Sequence, residues 1–150
     1  MGINGKEQGG LTFAETVAVL LLFSLLLVAA VPNLFPATVA VEAAARELVA
    51  DMGLARQLAV SRGEAHLVEF SPPGGPFTRY TLRRALGPDE PGFPKELPAG
   101  VTASGAASVT FLSSGAAQLP TPWVEWRLDS RVESARVRLW AQTGYARALP

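Results

Sequence analysis

Apolar residues are concentrated in one unbroken run near the N-terminus. Between residues 16 and 31 only Thr16 and Ser24 are polar, and the apolar character extends back to Leu11. As a helix, the 21 residues of 11–31 would be roughly 30 Å long, which matches the hydrocarbon core of a bilayer. The run therefore predicts a membrane-spanning helix.

A secretory signal peptide is the alternative interpretation of this run. Val28 and Ala30 are small residues at the spacing that precedes a signal-peptidase cut, which would place the mature N-terminus at Val31. Lys6 is the only basic residue ahead of the run, and a helical pattern continues beyond the cut. Both features favour a retained span.

A second helical pattern follows Pro32 and Pro36. Residues 37–62 are rich in alanine and other good helix formers, and apolar residues recur there at alternating steps of four and three. This apolar stripe consists of Val41, Ala45, Leu48, Met52, Ala55 and Ala59. Gly63 provides the left-handed stop that is common at a helix end. The sequence predicts one helix over residues 11–62, kinked at Pro32 because proline lacks a backbone donor.

After Gly63 the chain becomes rich in valine, threonine and aromatic residues, and helical periodicity is lost. Alternation predicts strands at residues 66–71, 78–86, 108–112, 123–129, 135–141 and 145–149. Proline and glycine mark loops at residues 71–76, 87–100 and 113–122. A small antiparallel sheet has little core of its own, so we expect the apolar stripe to cover one of its faces. The predicted fold class is α+β.

Composition removes most classes of enzyme. The 150 residues include no cysteine and one histidine, His66, which excludes disulfide scaffolds, thiol nucleophiles and cysteine-based metal sites. The 13 basic and 13 acidic side chains cancel, which argues against a chain built mainly to coat nucleic acid. No group of titratable residues has an arrangement typical of acid–base or nucleophilic catalysis. We therefore expect neither an enzyme nor a cofactor.

Glu15 is the one acidic residue in the apolar segment. An ionised carboxylate near the centre of a bilayer costs about 2.5–3.5 kcal/mol on insertion scales, so such a residue predicts a functional site with a cationic partner. The alternative is that Glu15 lies at the headgroup level and is hydrated.

The stretch GLTFAE at residues 10–15, followed by the apolar run, resembles the class III leader and processing site of type IV prepilins and type II secretion pseudopilins. The resemblance implies that a prepilin peptidase cuts after Gly10 and methylates the new amine of Leu11, where the family most often has phenylalanine. Glu15 then takes the place of the family's glutamate, fifth in the mature chain. Pro32 takes that of its helix-kinking proline.

The resemblance implies a type IV pilin-like organisation in four segments. These are a leader (1–10), a transmembrane half (11–35) and an amphipathic half (36–62) of one long helix, and a β-sheet domain (63–150). The implied setting is a bacterial inner membrane with the C-terminal domain in the periplasm. The implied partners are prepilin peptidase and other pilins in a helical filament. There the carboxylate of Glu15 can pair with the freed amine of a neighbour.

Later motifs are similar to the GspH/FimT branch of this family: residues 52–64, Phe-x-x-x-Gly at 111–115 and Thr-Gly-x-x-Arg at 143–147. Some members of that branch bind DNA through a C-terminal Gly-Arg-x-Arg motif. Here Tyr145 replaces the first arginine and Arg147 matches the second. Arg136 and Arg138 alternate with apolar residues on a predicted strand, so these two and Arg147 are the candidate DNA contacts. Residues 63–150 hold nine basic and eight acidic side chains, so we expect no DNA binding at physiological salt.

Two hypotheses remain open from the sequence. The leading one is a pilin-like assembly subunit, in which a pilus role and a secretion role are not distinguished. The competing one is a membrane-anchored or secreted binding module, in which the apolar run is an ordinary anchor or signal and the β-domain recognises a ligand.

Overall fold

The computed structural model describes residues 13–30 and 37–149. Two helices are described, α1 (Phe13–Ala30) and α2 (Ala37–Arg62). The strands are β1 (His66–Ser71), β2 (Arg79–Arg84), β3 (Lys95–Glu96), β4 (Thr102–Ser104), β5 (Ser108–Phe111), β6 (Ala117–Gln118), β7 (Trp123–Asp129), β8 (Ser134–Trp140) and β9 (Ala146–Leu149). The predicted α+β class is confirmed.

The structure does not describe the segment between α1 and α2. Pro32 lies outside the described residues, so its kink and the single helix over residues 11–62 stay predictions. Within residues 13–30 and 37–149, no helix has both the length and the hydropathy needed to cross a bilayer. Helix α1 belongs to one compact unit of the chain, whereas α2 and the described strands belong to a second.

The predicted antiparallel β-domain is divided into two sheets. One has the order β3-β2-β1-β5-β6 and the other β4-β7-β8-β9, and every pair of neighbouring strands is antiparallel. Backbone hydrogen bonds join the sheets at two places. Phe77 and Ala103 exchange bonds of 2.7 and 2.8 Å, and the amide of Ala117 donates to the carbonyl of Ala141 at 2.8 Å. The two sheets therefore form one domain with a shared core.

Helix α2 covers this core with the predicted apolar stripe. All six side chains of the stripe are at most 1% exposed, and Ala44 adds a seventh buried position. The helix packs against strands of both sheets, whose inner faces contribute Val68, Phe111 and Trp126. The prediction that the stripe covers a sheet face is confirmed. Alternation of buried and exposed residues along β8 places Ala135, Val137 and Leu139 toward the helix and their neighbours outward.

A polar network, buried at Asp51 and Tyr80, fixes the first sheet to α2. Asp51, beside Met52 on the helix, is 7% exposed and accepts a hydrogen bond of 2.6 Å from the hydroxyl of Tyr80. The ammonium of Lys95 lies 2.8 Å from Asp51 Oδ2 and 2.9 Å from Glu47 Oε1. Burial, followed by the hydrogen bond to Asp51, raises the pKa of Tyr80 far above its usual value. Burial opposes the charge of Lys95, yet Asp51 and Glu47 raise its pKa. The network therefore holds β2 and β3 on the helix through the neutral pH range.

Candidate functional site

The predicted processing residues and the predicted kink are not placed by the structure. Gly10, Leu11 and Pro32 lie outside the described residues. Glu15 lies in the first turn of α1, and the side chains of residues 13–24 on this helix are exposed. The roles of all four residues stay predictions.

The three candidate DNA contacts share the outer face of the four-stranded sheet. On β8, Arg136 and Arg138 point away from the core, as the alternation predicted. Arg147 on β9 is exposed and lies directly opposite Arg138 in the strand register. The structure thus brings together three arginines that the sequence placed on two separate strands.

A carboxylate from the neighbouring strand neutralises one of these arginines. Glu125 on β7 lies opposite Arg138 and accepts two hydrogen bonds from it, 3.2 Å from Nε and 2.9 Å from a terminal nitrogen, both to Oε2. The guanidinium of Arg138 also lies 4.5 Å from the ring centre of Trp123. Arg138 is therefore held between a carboxylate and an aromatic ring, which limits its charge toward a ligand.

Sequence reasoning missed a fourth arginine on this face. Arg127 on β7 lies directly opposite Arg136 in the register, and its side chain is exposed. Its Nε donates a 2.7 Å hydrogen bond to Oδ1 of Asp129 on the same strand. The alternation of β7 carries the signal that would have identified Arg127, since Trp126 and Leu128 on either side of it are buried.

Three aromatic side chains form a row at one end of the same face. Trp123 and Trp140 lie opposite each other on β7 and β8, and Tyr145 follows in the turn before β9. The rings of Trp140 and Tyr145 have centres 6.3 Å apart and planes 27° apart. Trp123 is 46% exposed and Tyr145 is 60% exposed, whereas Trp126 belongs to the core. We call Trp123, Trp140 and Tyr145 the aromatic row.

Two glycines of the recognised motifs meet beside α2. Gly115 ends the Phe-x-x-x-Gly motif, and Gly144 belongs to the Thr-Gly-x-x-Arg motif. A Cβ atom on Gly144 would lie 2.1 Å from the carbonyl oxygen of Gly115, so the two turns are in direct backbone contact. Nε of Arg56 on α2 donates to the same carbonyl at 3.2 Å. The glycines of these two motifs therefore let the two turns pack against each other and against α2.

His66 lies beside the ion pair of Arg62 and Glu90 at the start of β1. Its side chain is fully buried, with Nδ1 3.1 Å from the carbonyl of Glu64 and Nε2 3.4 Å from Oε1 of Glu90. Arg62 at the end of α2 donates to the same oxygen of Glu90, and this bond holds the pKa of Glu90 below its usual value. Because the pKa of Glu90 is lower in the folded protein, its ionised carboxylate stabilises the fold above a pH equal to its ordinary pKa of 4.5. This stabilisation is lost as the pH falls through the lowered pKa. The ion pair joins α2 to the loop after β2.

The described side chains offer no metal centre. Across residues 13–30 and 37–149, no three histidine, aspartate or glutamate side chains are placed to hold a metal ion. The arrangement suits surface recognition instead, because arginine and exposed aromatic groups are enriched where proteins bind partners.

Comparison with solved structures identifies proteins of the same architecture. The type IV minor pilin FimU of Pseudomonas aeruginosa is 20% identical, with a TM-score of 0.59 over 73% of this chain and 88% of FimU. The minor pseudopilin EpsH of the type 2 secretion system of Vibrio cholerae is 17% identical, with a TM-score of 0.58 over 73% of this chain and 95% of EpsH.

The chain has the type IV pilin-like fold. No protein-family model and no curated protein sequence matches it. The similarity to FimU and EpsH therefore rests on the fold. These solved neighbours are pilin and pseudopilin subunits and not enzymes.

Proposed function

We propose that this chain is a minor pilin or pseudopilin, a structural subunit of a type IV pilus or a type II secretion pseudopilus. The observation that carries the proposal is the type IV pilin-like fold, in which the stripe of α2 is buried against the β-domain. The GLTFAE motif at residues 10–15 supports it independently, because it resembles a prepilin processing site.

In this proposal the N-terminal segment anchors the subunit before assembly. Residues 11–31 insert in the bacterial inner membrane, and the β-domain lies on the periplasmic side. Cleavage after Gly10 leaves a free amine on Leu11, and the carboxylate of Glu15 pairs with the amine of the next subunit. Pairing offsets the desolvation of both charges, so it favours the one register in which they meet.

The intact mass of the membrane-extracted protein tests the processing step. We expect a chain that begins at Leu11 and carries a methyl group on its amine. An N-terminus at Val31 would support the secreted binding module. An unprocessed Met1 would leave only a membrane anchor.

Replacement of Glu15 tests the assembly step. We expect Glu15→Ala to insert and to be processed normally, because the change removes a charge from the apolar segment, yet to enter filaments poorly. Incorporation is measured by fractionating membranes from filaments. Thr16→Ala is the matched control, since it changes the adjacent polar residue and keeps the carboxylate. Equal incorporation of the two variants would contradict charge pairing.

DNA uptake is the second candidate function, because Arg136, Arg138 and Arg147 lie together on the outer sheet face. Three phosphate contacts imply roughly a 40-fold loss of affinity between about 50 and about 200 mM salt. Glu125 and Asp129 lie among these arginines and oppose phosphate binding. We therefore expect the full chain to give no mobility shift of duplex DNA at about 150 mM salt.

A clear shift under these conditions would contradict the expectation. It would assign DNA uptake to the chain if simultaneous alanine substitution of Arg136, Arg138 and Arg147 abolished it without changing the melting temperature.

A further inference from the structure

The aromatic row has no role in the core or in the buried stripe. Trp123 and Tyr145 expose about half of their surface, and Trp140 is partly exposed between them. Large aromatic side chains that are grouped on a surface mark a binding site, because their exposure to water is unfavourable and their flat faces suit stacking. The aromatic row is therefore a candidate ligand-binding site.

We propose that the aromatic row binds an uncharged oligosaccharide, with pyranose rings stacked on the exposed aromatic faces and sugar hydroxyls bonded to Glu125 and Arg138. This role goes beyond filament assembly and does not depend on it.

The polar groups beside the row match hydroxyl chemistry. Both hydrogen bonds from Arg138 go to Oε2 of Glu125, and the hydrogen bonds described place no donor on Oε1. An ionised carboxylate accepts through both oxygens, so Oε1 can accept from a sugar hydroxyl. The side chains of Glu125 and Arg138 are 24% and 31% exposed, which leaves both within reach of a ligand.

The surface next to Trp123 has the shape of a shallow ligand site. A depression of about 460 Å³ adjoins the row at its Trp123 end and is lined by Ala106, Thr121, Pro122, Trp123, Val124 and Glu125. Arg138 lies over the ring of Trp123 and bonds to Glu125, so it fixes both groups before a ligand arrives. Preorganised groups of this kind bind with a smaller loss of conformational entropy.

Local charge favours a neutral ligand over a phosphate polymer. Beside Trp123, the charge of Arg138 is cancelled by Glu125, which would repel a phosphate. The opposed arginines Arg127 and Arg136 lie four residues along the strands from the Trp123 and Trp140 pair, or about 13 Å. Arg147, which is exposed and opposite Arg138, leaves one positive charge near the row. A phosphate backbone that reached the further arginines would leave the row, whereas a sugar chain can use the row alone.

The test uses the full chain in a detergent that has no sugar head group, with cellotetraose and chitotetraose as probes. Binding is measured by saturation-transfer NMR, because this method does not depend on tryptophan fluorescence and so applies equally to the variant that lacks Trp140. We expect saturable binding that weakens about tenfold in Trp140→Ala and in Tyr145→Ala, and that is unchanged between about 50 and about 500 mM salt. Leu86→Ala is the control, because Leu86 is a fully exposed apolar side chain on another loop.

Glu125→Gln separates the two ligand classes. It should weaken sugar binding because a carboxylate acceptor is lost, whereas it should strengthen the binding of a phosphate polymer. The proposal is overturned if neither sugar gives a saturable signal up to about 10 mM, or if binding persists in both aromatic variants. It is also overturned if only single-stranded DNA binds, with an affinity that falls with salt and rises in Glu125→Gln.

Discussion

A fragment of residues 64–150 is expected to aggregate, whereas a fragment of residues 36–150 is expected to be soluble and to unfold cooperatively. The difference is the amphipathic helix α2, which buries three large side chains, Val41, Leu48 and Met52, and four alanines. Their burial contributes on the order of 10 kcal/mol, which is comparable with the whole stability of a domain of this size. Without the helix, the inner faces of both sheets are open to water.

Circular dichroism melts and binding of a hydrophobic dye measure this difference. A matched pair of substitutions within residues 36–150 tests the same idea without truncation. Ala55→Asp places a carboxylate in the core and should abolish the cooperative melt, while Ala50→Asp makes the same change on the exposed side of α2 and should be tolerated. If the fragment of residues 64–150 melted like the longer one, the helix would not belong to the core.

The helix and the long strands were predictable because their patterns repeat. The stripe is buried along its whole length, since one face of a 3.6-residue helix meets the sheets. The strand predicted at residues 123–129 has the same bounds as β7, and that at 66–71 the same bounds as β1. In each, apolar residues at every second position bury one face, so the local pattern and the tertiary structure agree.

Three short strands were not predicted. β3, β4 and β6 have two or three residues each, too few to show an alternation of period two. They form because a partner strand is already present: Arg79 and Tyr80 of β2 pair with β3, and Phe111 of β5 pairs with Ala117 of β6. Such strands depend on distant contacts, and the proline and glycine around them indicated loops.

The surface site was predictable only in part, for a related reason. Alternation along β8 indicated that Arg136, Arg138 and Trp140 point outward. The pairing of Arg138 with Glu125 depends on the register of β7 against β8, and a shift of one residue would place Glu125 on the opposite face from Arg138. The cancellation of the Arg138 charge by Glu125 is therefore a property of register rather than of composition.

Substitution of Gly144 by alanine is expected to destabilise the domain by about 2–4 kcal/mol, which lowers its melting temperature by about 10 °C or more. Gly144 has a φ of 60°, in the left-handed region that disfavours a side chain. The new methyl group would also lie 2.1 Å from the carbonyl oxygen of Gly115 and 3.2 Å from the side chain of Arg56. The contact with a backbone atom cannot be relieved by a rotamer change, so one of the two turns must move.

Gly63→Ala separates the two causes. Gly63 has a φ of 68°, close to that of Gly144, but no atom lies within 4 Å of its Cβ position. Gly63→Ala should therefore lose only the energy needed to hold a side chain in the left-handed region, about 1 kcal/mol of stability. If the Gly144 and Gly63 variants melted at the same temperature, the contact with Gly115 would carry no energetic weight. A larger loss in Gly144→Ala than in Gly63→Ala would show that the close contact between the turns of the Phe-x-x-x-Gly and Thr-Gly-x-x-Arg motifs stabilises the β-domain.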